Sequence, residues 1–185
     1  MKEFVGSVAL LISIVAAVVL QVLIPPLGPF HDARILLVPM LFCYGALALP
    51  FWLVMLFAAF SGYLLDLQFL NVSDGHVEIA VGWSIVYFVF FGLFVHGFEP
   101  AFRRGAWWLH PIFSVLGTSL YLAMQFAMIS FRRSGFEFNE LVVWRVLVPG
   151  IMAGLFAPIV HFLVWQGAQF LPAHHRGGHK YWDRA

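Results

Sequence analysis

Two opposite charges stand symmetrically about a proline in one long apolar run. Arg34 and Asp66 lie 16 residues before and after Pro50, and the stretch between them carries no other charge. Pro50 cannot donate the hydrogen bond that would continue a helix, so the run predicts a hairpin of two helices. In such a hairpin both charges lie at one depth, roughly 24 Å from the turn. An unpaired charge beside an apolar zone is costly, which favours an Arg34–Asp66 ion pair. A ligand counter-ion, a proton relay or a water-facing Asp66 stays open.

Three histidines, His96, His110 and His161, lie in or near apolar runs. Imidazole is a common zinc ligand, but no two of them have the i, i+4 spacing of a helical ligand pair. A second group, His174 to His179, belongs to a polar tail, where a solvated tail is the simpler interpretation. The chain carries no nucleophile–base arrangement and no phosphate-binding loop. It is therefore expected to be non-catalytic and to bind no metal or cofactor.

Gly150 and Gly154 are four residues apart in the last apolar run. Small residues at this spacing open a groove in which a second helix approaches closely. Ala153 and Ala157 continue a neighbouring ridge. The spacing predicts helix packing here, either within the chain or against another subunit.

Composition places the chain in a membrane. Hydrophobic residues make up 62% of the sequence and charged residues 10%, with a mean hydropathy of +0.91. The charges fall almost wholly in the gaps between apolar runs, which is typical of a polytopic membrane protein. Ten Lys and Arg residues spread over several loops form no basic patch, so nucleic acid is not an expected partner.

The runs predict an all-α integral membrane protein with six transmembrane helices. A membrane domain is expected over 1–171, followed by a basic, histidine-containing cytoplasmic tail over 172–185. The expected spans are residues 4–24, 35–49, 51–67, 77–98, 109–131 and 141–171.

The distribution of basic residues predicts the orientation. With six spans, one side holds six of the ten Lys and Arg residues, namely Lys2, Arg103, Arg104, Arg176, Lys180 and Arg184. The other side holds Arg34, Arg132, Arg133 and Arg145. Basic residues are enriched in cytoplasmic loops, so both termini are expected in the cytoplasm.

Three stretches carry a resemblance to a known family. They are residues 32–50 (DARILLVPMLFCYGALALP), 59–67 (AFSGYLLDL) and 74–84 (DGHVEIAVGWS). Together they resemble the rod shape-determining protein MreD family of bacteria over about residues 32–92. The second stretch is similar to the family's Gly-Leu-Leu-x-Asp-Leu, and the third to its glycine-containing turn. Neither neighbour of Arg34, Ala33 or Ile35, is the proline of the family's Arg-Pro pair.

The resemblance implies a fold and a role. The fold would be similar to the substrate-binding subunits of energy-coupling-factor vitamin importers. The role would be a scaffold of cell-wall elongation in the bacterial inner membrane, binding MreC and through it MreB and the peptidoglycan synthases. The residues expected to form structural or partner contacts are Arg34, Gly62, Asp66, Gly75, Gly150 and Gly154.

The main alternative belongs to another class of protein, a small-molecule-binding subunit of a vitamin importer. Such a protein needs a cavity between its spans with a few placed polar groups. The candidates in the sequence are few, and most lie in one turn: Asp66, Asn71, Asp74, His76 and Glu78.

Overall fold

A computed structural model describes residues 2–26, 28–30, 33–69, 72–73, 76–77, 82–132 and 140–170. Over these ranges the chain forms seven α-helices, one 3-10 turn at Gly28–Phe30 and a two-residue antiparallel ladder of β1 (Val72–Ser73) and β2 (His76–Val77). The helices are α1 (Lys2–Leu23), α2 (Val38–Ala48), α3 (Phe51–Gln68), α4 (Trp83–His96), α5 (Glu99–Arg103), α6 (Leu109–Arg132) and α7 (Glu140–Phe170). The tail over 172–185 lies outside the described residues.

Each of the six predicted spans coincides with an apolar helix, and the fold is all-α apart from the short ladder. Three helical segments in the described part of the chain are long and apolar enough to cross a membrane: Phe51–Gln68, Leu109–Arg132 and Glu140–Leu163. Three shorter apolar segments accompany them: Leu11–Leu23, Val38–Ala48 and Trp83–His96. The helical membrane class predicted from composition is therefore confirmed.

The helical hairpin forms where Pro50 predicts it. α2 ends at Ala48, and Pro50 is the N-cap of α3 with φ −66° and ψ 152°. The extended conformation at Pro50 breaks the helix, as the missing N–H requires. α7, by contrast, is continuous through Pro149 and Pro158.

Two helices begin later than the sequence pattern predicts. α2 begins at Val38 rather than at residue 35, and Pro39 stands in its first turn. Proline is favoured at a helix start because its missing N–H is not needed there. α4 begins at Trp83 rather than at residue 77, because His76 and Val77 pair in the ladder and Gly82 adopts φ +109°. A right-handed helix does not accommodate a positive φ, so α4 does not extend back through Gly82.

The short helix α2 is the centre of the fold. Nine of its eleven residues are buried, and it packs against each of the other six helices. Phe42 supplies the central ring: its centroid lies 4.7 Å from that of Phe88 on α4 and 5.9 Å from that of Phe57 on α3. Edge-to-face and stacked contacts at these distances add to the stabilisation from burial.

Gly150 and Gly154 seat α7 against α6 of the same chain. A Cβ on Gly150 would overlap Ser119 Oγ and lie 3.1 Å from the Val115 carbonyl oxygen. A Cβ on Gly154 would overlap the Val115 side chain. Of the two alternatives, packing within the chain is the one that the structure shows.

We expect Gly150→Ala and Gly154→Ala each to lower the free energy of unfolding by about 1–3 kcal/mol, because the added methyl overpacks the α6–α7 contact. Unfolding of the purified protein in mixed micelles with an anionic detergent measures the loss. Gly28→Ala is the matched control, since a Cβ at Gly28 meets no atom within 4 Å. Unchanged stability with loss of an oligomer would instead place the glycines at a subunit interface.

Candidate functional site

The carboxylate of Asp66 caps the buried start of α4. Asp66 lies in the last turn of α3 and is 6% exposed. Its Oδ2 accepts a hydrogen bond from the Gly82 N–H at 2.5 Å, and its Oδ1 accepts one from the Ser84 N–H at 3.2 Å. The first N–H groups of a helix have no partner within the helix, and the helix dipole favours negative charge there. The carboxylate therefore satisfies two backbone donors and is itself stabilised by the positive end of α4.

Gly62 makes this cap geometrically accessible. It lies one turn before Asp66 on the same face of α3, against the first turn of α4. A Cβ on Gly62 would lie 2.5 Å from both N and Cα of Ile85. Only a residue without a side chain lets the two backbones approach this closely. Gly62 and Asp66 therefore form one structural unit, the first setting the distance and the second satisfying the helix end.

A buried polar chain continues from the cap to α6. The hydroxyl groups of Ser84 and Tyr121 share a hydrogen bond of 2.9 Å, and Gln125 Nε2 donates to the Tyr121 hydroxyl at 2.7 Å. Tyr121 is fully buried, so these bonds satisfy a hydroxyl that has no access to solvent. The chain of contacts fixes the start of α4 to both α3 and α6.

The start of α2 is capped by a side chain from α1. Gln21, 5% exposed, accepts hydrogen bonds through Oε1 from the N–H groups of Leu37 at 3.0 Å and Val38 at 3.5 Å. Its Nε2 donates to Oε1 of Gln68, in the last turn of α3. Gln21 is not among the residues predicted from the sequence. The available signal was a lone amide near the end of an apolar span, where polar side chains commonly bond to another helix.

The predicted ion pair between Arg34 and Asp66 is wrong. Among the described residues, an ion pair joins Glu99 to Arg103, the His96 ring lies 3.4 Å from Glu99, and no ion pair joins Arg34 to Asp66. Arg34 is exposed and precedes α2, because the helix begins four residues later. Arg34 is therefore not part of the helix pair in which equal spacing about Pro50 would set a common depth. Backbone N–H groups hold the Asp66 carboxylate instead.

Arg34 lines a cavity of about 550 Å³ at the end of the fold where α3 ends. The cavity lies between the segment leading into α2, the end of α3, and α6 and α7. A second arginine, Arg145 of α7, also lines it, together with apolar residues that include Leu36, Phe69 and Leu122. Asp66 is not among the lining residues. The structure thus separates the two charges: Asp66 holds a helix end, and Arg34 faces an open cavity.

Gly75, and with it Asn71, Asp74 and Glu78, lies outside the described residues. The three histidines lie toward the other end of the fold, near the start of α3. The ring of His96 donates through Nδ1 to the Ala46 carbonyl at 3.0 Å, and that of His110 donates through Nε2 to the Met40 carbonyl at 3.1 Å. The His161 ring centroid is 6.4 Å from that of His110. Across the described part of the chain, no group of three or more His, Cys, Asp or Glu residues is placed to hold a metal ion.

The fold and these contacts define a helical membrane protein in which the starts of α2 and α4 are capped by side chains from other helices. Comparisons of the chain with family models, with curated proteins and with solved structures find no match.

We expect Asp66→Ala to lower the free energy of unfolding by about 2 kcal/mol or more, because it leaves one buried and one partly buried N–H group without this acceptor. Asp66→Asn should lose less, since its amide oxygen still accepts a bond. Arg34→Ala should have little effect, and the Arg34→Ala/Asp66→Ala double variant should equal the sum of the single changes within about 0.5 kcal/mol. Unfolding in mixed micelles measures all four.

The control for this series is Leu67→Ala, because Leu67 neighbours Asp66 and is 45% exposed. If the double variant loses clearly less than that sum, Arg34 and Asp66 interact in solution and the assignment of Asp66 to the α4 cap alone is wrong.

Proposed function

We propose that all six apolar helices belong to a multi-pass domain of the bacterial inner membrane, with both termini in the cytoplasm. α2 and α4 have 11 and 14 residues, about 16 and 21 Å, less than a hydrocarbon core of about 30 Å. Non-helical backbone is tolerated within a membrane only where protein or a water-filled cavity surrounds it. The caps from Gln21 and Asp66 support this arrangement, because they satisfy the starts of both short helices.

Accessibility of single cysteines tests the orientation. In a Cys43→Ala background, Ser73→Cys in β1 should react with a membrane-impermeant thiol reagent in intact cells. Ala106→Cys, between α5 and α6, should react only after the membrane is opened, because Arg103 and Arg104 keep this loop in the cytoplasm. Cys43 is buried and is the one cysteine of the sequence, so Cys43→Ala removes the native thiol. Reaction of Ala106→Cys from outside would overturn the six-span orientation.

We propose further that the chain is a non-catalytic scaffold of the rod-shape machinery, binding MreC and coupling it to MreB and the peptidoglycan synthases. The proposal rests on the resemblance of residues 32–92 to the MreD family. One observation supports it most directly: Asp66, the acidic residue of the second stretch (residues 59–67), is engaged by the backbone of α4. In this position Asp66 maintains the shape of the α3–α4 junction, as expected of a scaffold whose recognition depends on surface shape and close helix packing.

The alternative function is a small-molecule-binding subunit of the vitamin-importer type. The observation in its favour is the cavity of about 550 Å³ with Arg34 and Arg145 in its lining. This volume falls in the range of small-molecule sites, roughly 300–1,000 Å³, and two guanidinium groups would orient an anionic ligand. The polar residue expected for such a site, Asp66, is engaged elsewhere.

Depletion in the source bacterium distinguishes the two proposals. The scaffold predicts rounded or widened cells with no change in vitamin requirement, because positioning of the wall synthases is lost. In the depleted cells, the wild-type chain and Gly28→Ala should restore rod shape. Asp66→Ala, present in the membrane at an equal level, should restore it poorly, because the phenotype depends on the α3–α4 junction. Normal cell shape together with a new vitamin requirement would overturn the scaffold and favour the transporter subunit.

A further inference from the structure

The arginine cavity, defined by Arg34, Arg145, Leu36, Phe69, Leu122 and Pro149, presents two cationic groups from different elements. Arg34 comes from the extended segment before α2, and Arg145 from the second turn of α7. Both side chains are exposed. Each guanidinium carries five N–H donors in a planar fork that matches the oxygens of a phosphate. Two such groups around one cavity form a receptor for an anion.

A second cavity, the apolar groove, lies nearer the middle of the bundle and has its own lining residues. It has a volume of about 290 Å³ and is lined by residues of three helices, including Ala16, Leu20, Met40, Phe156, Ile159 and Val160. Its lining residues come from α1, α7 and α2 with the adjacent Leu37, and Met40 and Leu41 of α2 are buried. Leu20 and Ile159 are more than 50% exposed, so the groove is open along its side.

On α7, on the α1 side and on the α2 side, the residues that line the groove lie further from the end of α3 than those that line the cavity. On α7 the lining passes from Pro149 to Phe156, about 10 Å further along the helix. On the α1 side it passes from Pro26 back to Leu20, and before α2 it passes from Leu36 to Leu37. Along these elements the two spaces follow one another, and together they define a path that is cationic near the end of α3 and apolar toward the middle of the bundle.

We propose that this path binds an anionic lipid, with its phosphate between Arg34 and Arg145 and one hydrocarbon chain in the apolar groove. The order of the two spaces matches the order of charge and hydrocarbon in a membrane lipid. Basic side chains at a membrane surface attract anionic headgroups, and pockets between helices near the surface hold them. A soluble anion would use only the cationic part, and an acidic residue of a partner protein would leave the groove unexplained.

Binding of defined lipids to the purified full-length protein tests this inference. Native mass spectrometry in detergent compares phosphatidylglycerol with phosphatidylcholine of the same chains, and with glycerol phosphate, which has no chain. Phosphatidylglycerol should bind at least fivefold more tightly than either. Arg34→Gln and Arg145→Gln should each weaken its binding about fivefold. Ala16→Trp, which fills the groove from an exposed position, should weaken binding of both lipids.

Matched controls are Arg104→Gln, an exposed arginine at the opposite end of the fold, and Ala127→Trp, an exposed alanine on α6. Both should bind as the wild type does. Equal binding of the two lipids by the wild type would overturn the proposal without any variant. Tight binding of glycerol phosphate, unchanged in Ala16→Trp, would also overturn the proposal, because it would indicate that the site binds a soluble anion. Arginine variants that lose a co-purifying protein yet retain the lipid would also overturn it. The assay needs no cells, so its outcome is independent of the proposed role in cell shape.

Discussion

A helix that begins inside an apolar environment leaves backbone N–H groups that water cannot reach, and the fold depends on how these groups are satisfied. The first four N–H groups of any helix lack a partner within it. In hydrocarbon, each one left unsatisfied costs several kcal/mol. In the described part of the chain, α2 and α4 have such starts, and each is capped by a side chain from another helix. Gln21 serves α2, and Asp66 serves α4.

The same constraint explains how a single carboxylate is tolerated in a buried position. An isolated buried charge is expensive unless it is paired or hydrogen-bonded. The sequence pattern favoured an arginine as the partner of Asp66, because charge balance suggests a cation. In the structure, two backbone N–H groups and the positive end of the α4 dipole perform this role. Burial of Asp66 therefore depends on the exact approach of α4, and Gly62 makes that approach sterically accessible.

The helices and the turn at Pro50 were predictable from the sequence. The length of an apolar run and the missing N–H of a proline determine the conformation of neighbouring residues without any tertiary contact. The capping contacts were not predictable in this way. Asp66 meets Gly82 across a turn of the chain, and Gln21 meets the start of α2 across the 3-10 turn. Which side chain caps which helix depends on tertiary packing. Pro39 favours a helix start close to it, which is why residues 35–37 of the predicted span lie outside α2.

The shortness of α2 and the position of the arginine cavity have one cause. A span of ordinary length would have continued through residues 33–37 as helix, beside α6 and α7. Because Pro39 and the Gln21 cap start the helix at Val38, these residues run as non-helical chain and contribute Ala33, Arg34 and Leu36 to the wall of a cavity. The polar contacts of Gln21 with the start of α2 and with Gln68 hold this segment next to the end of α3. The cavity is therefore a direct consequence of the capped half-length helix at the centre of the fold.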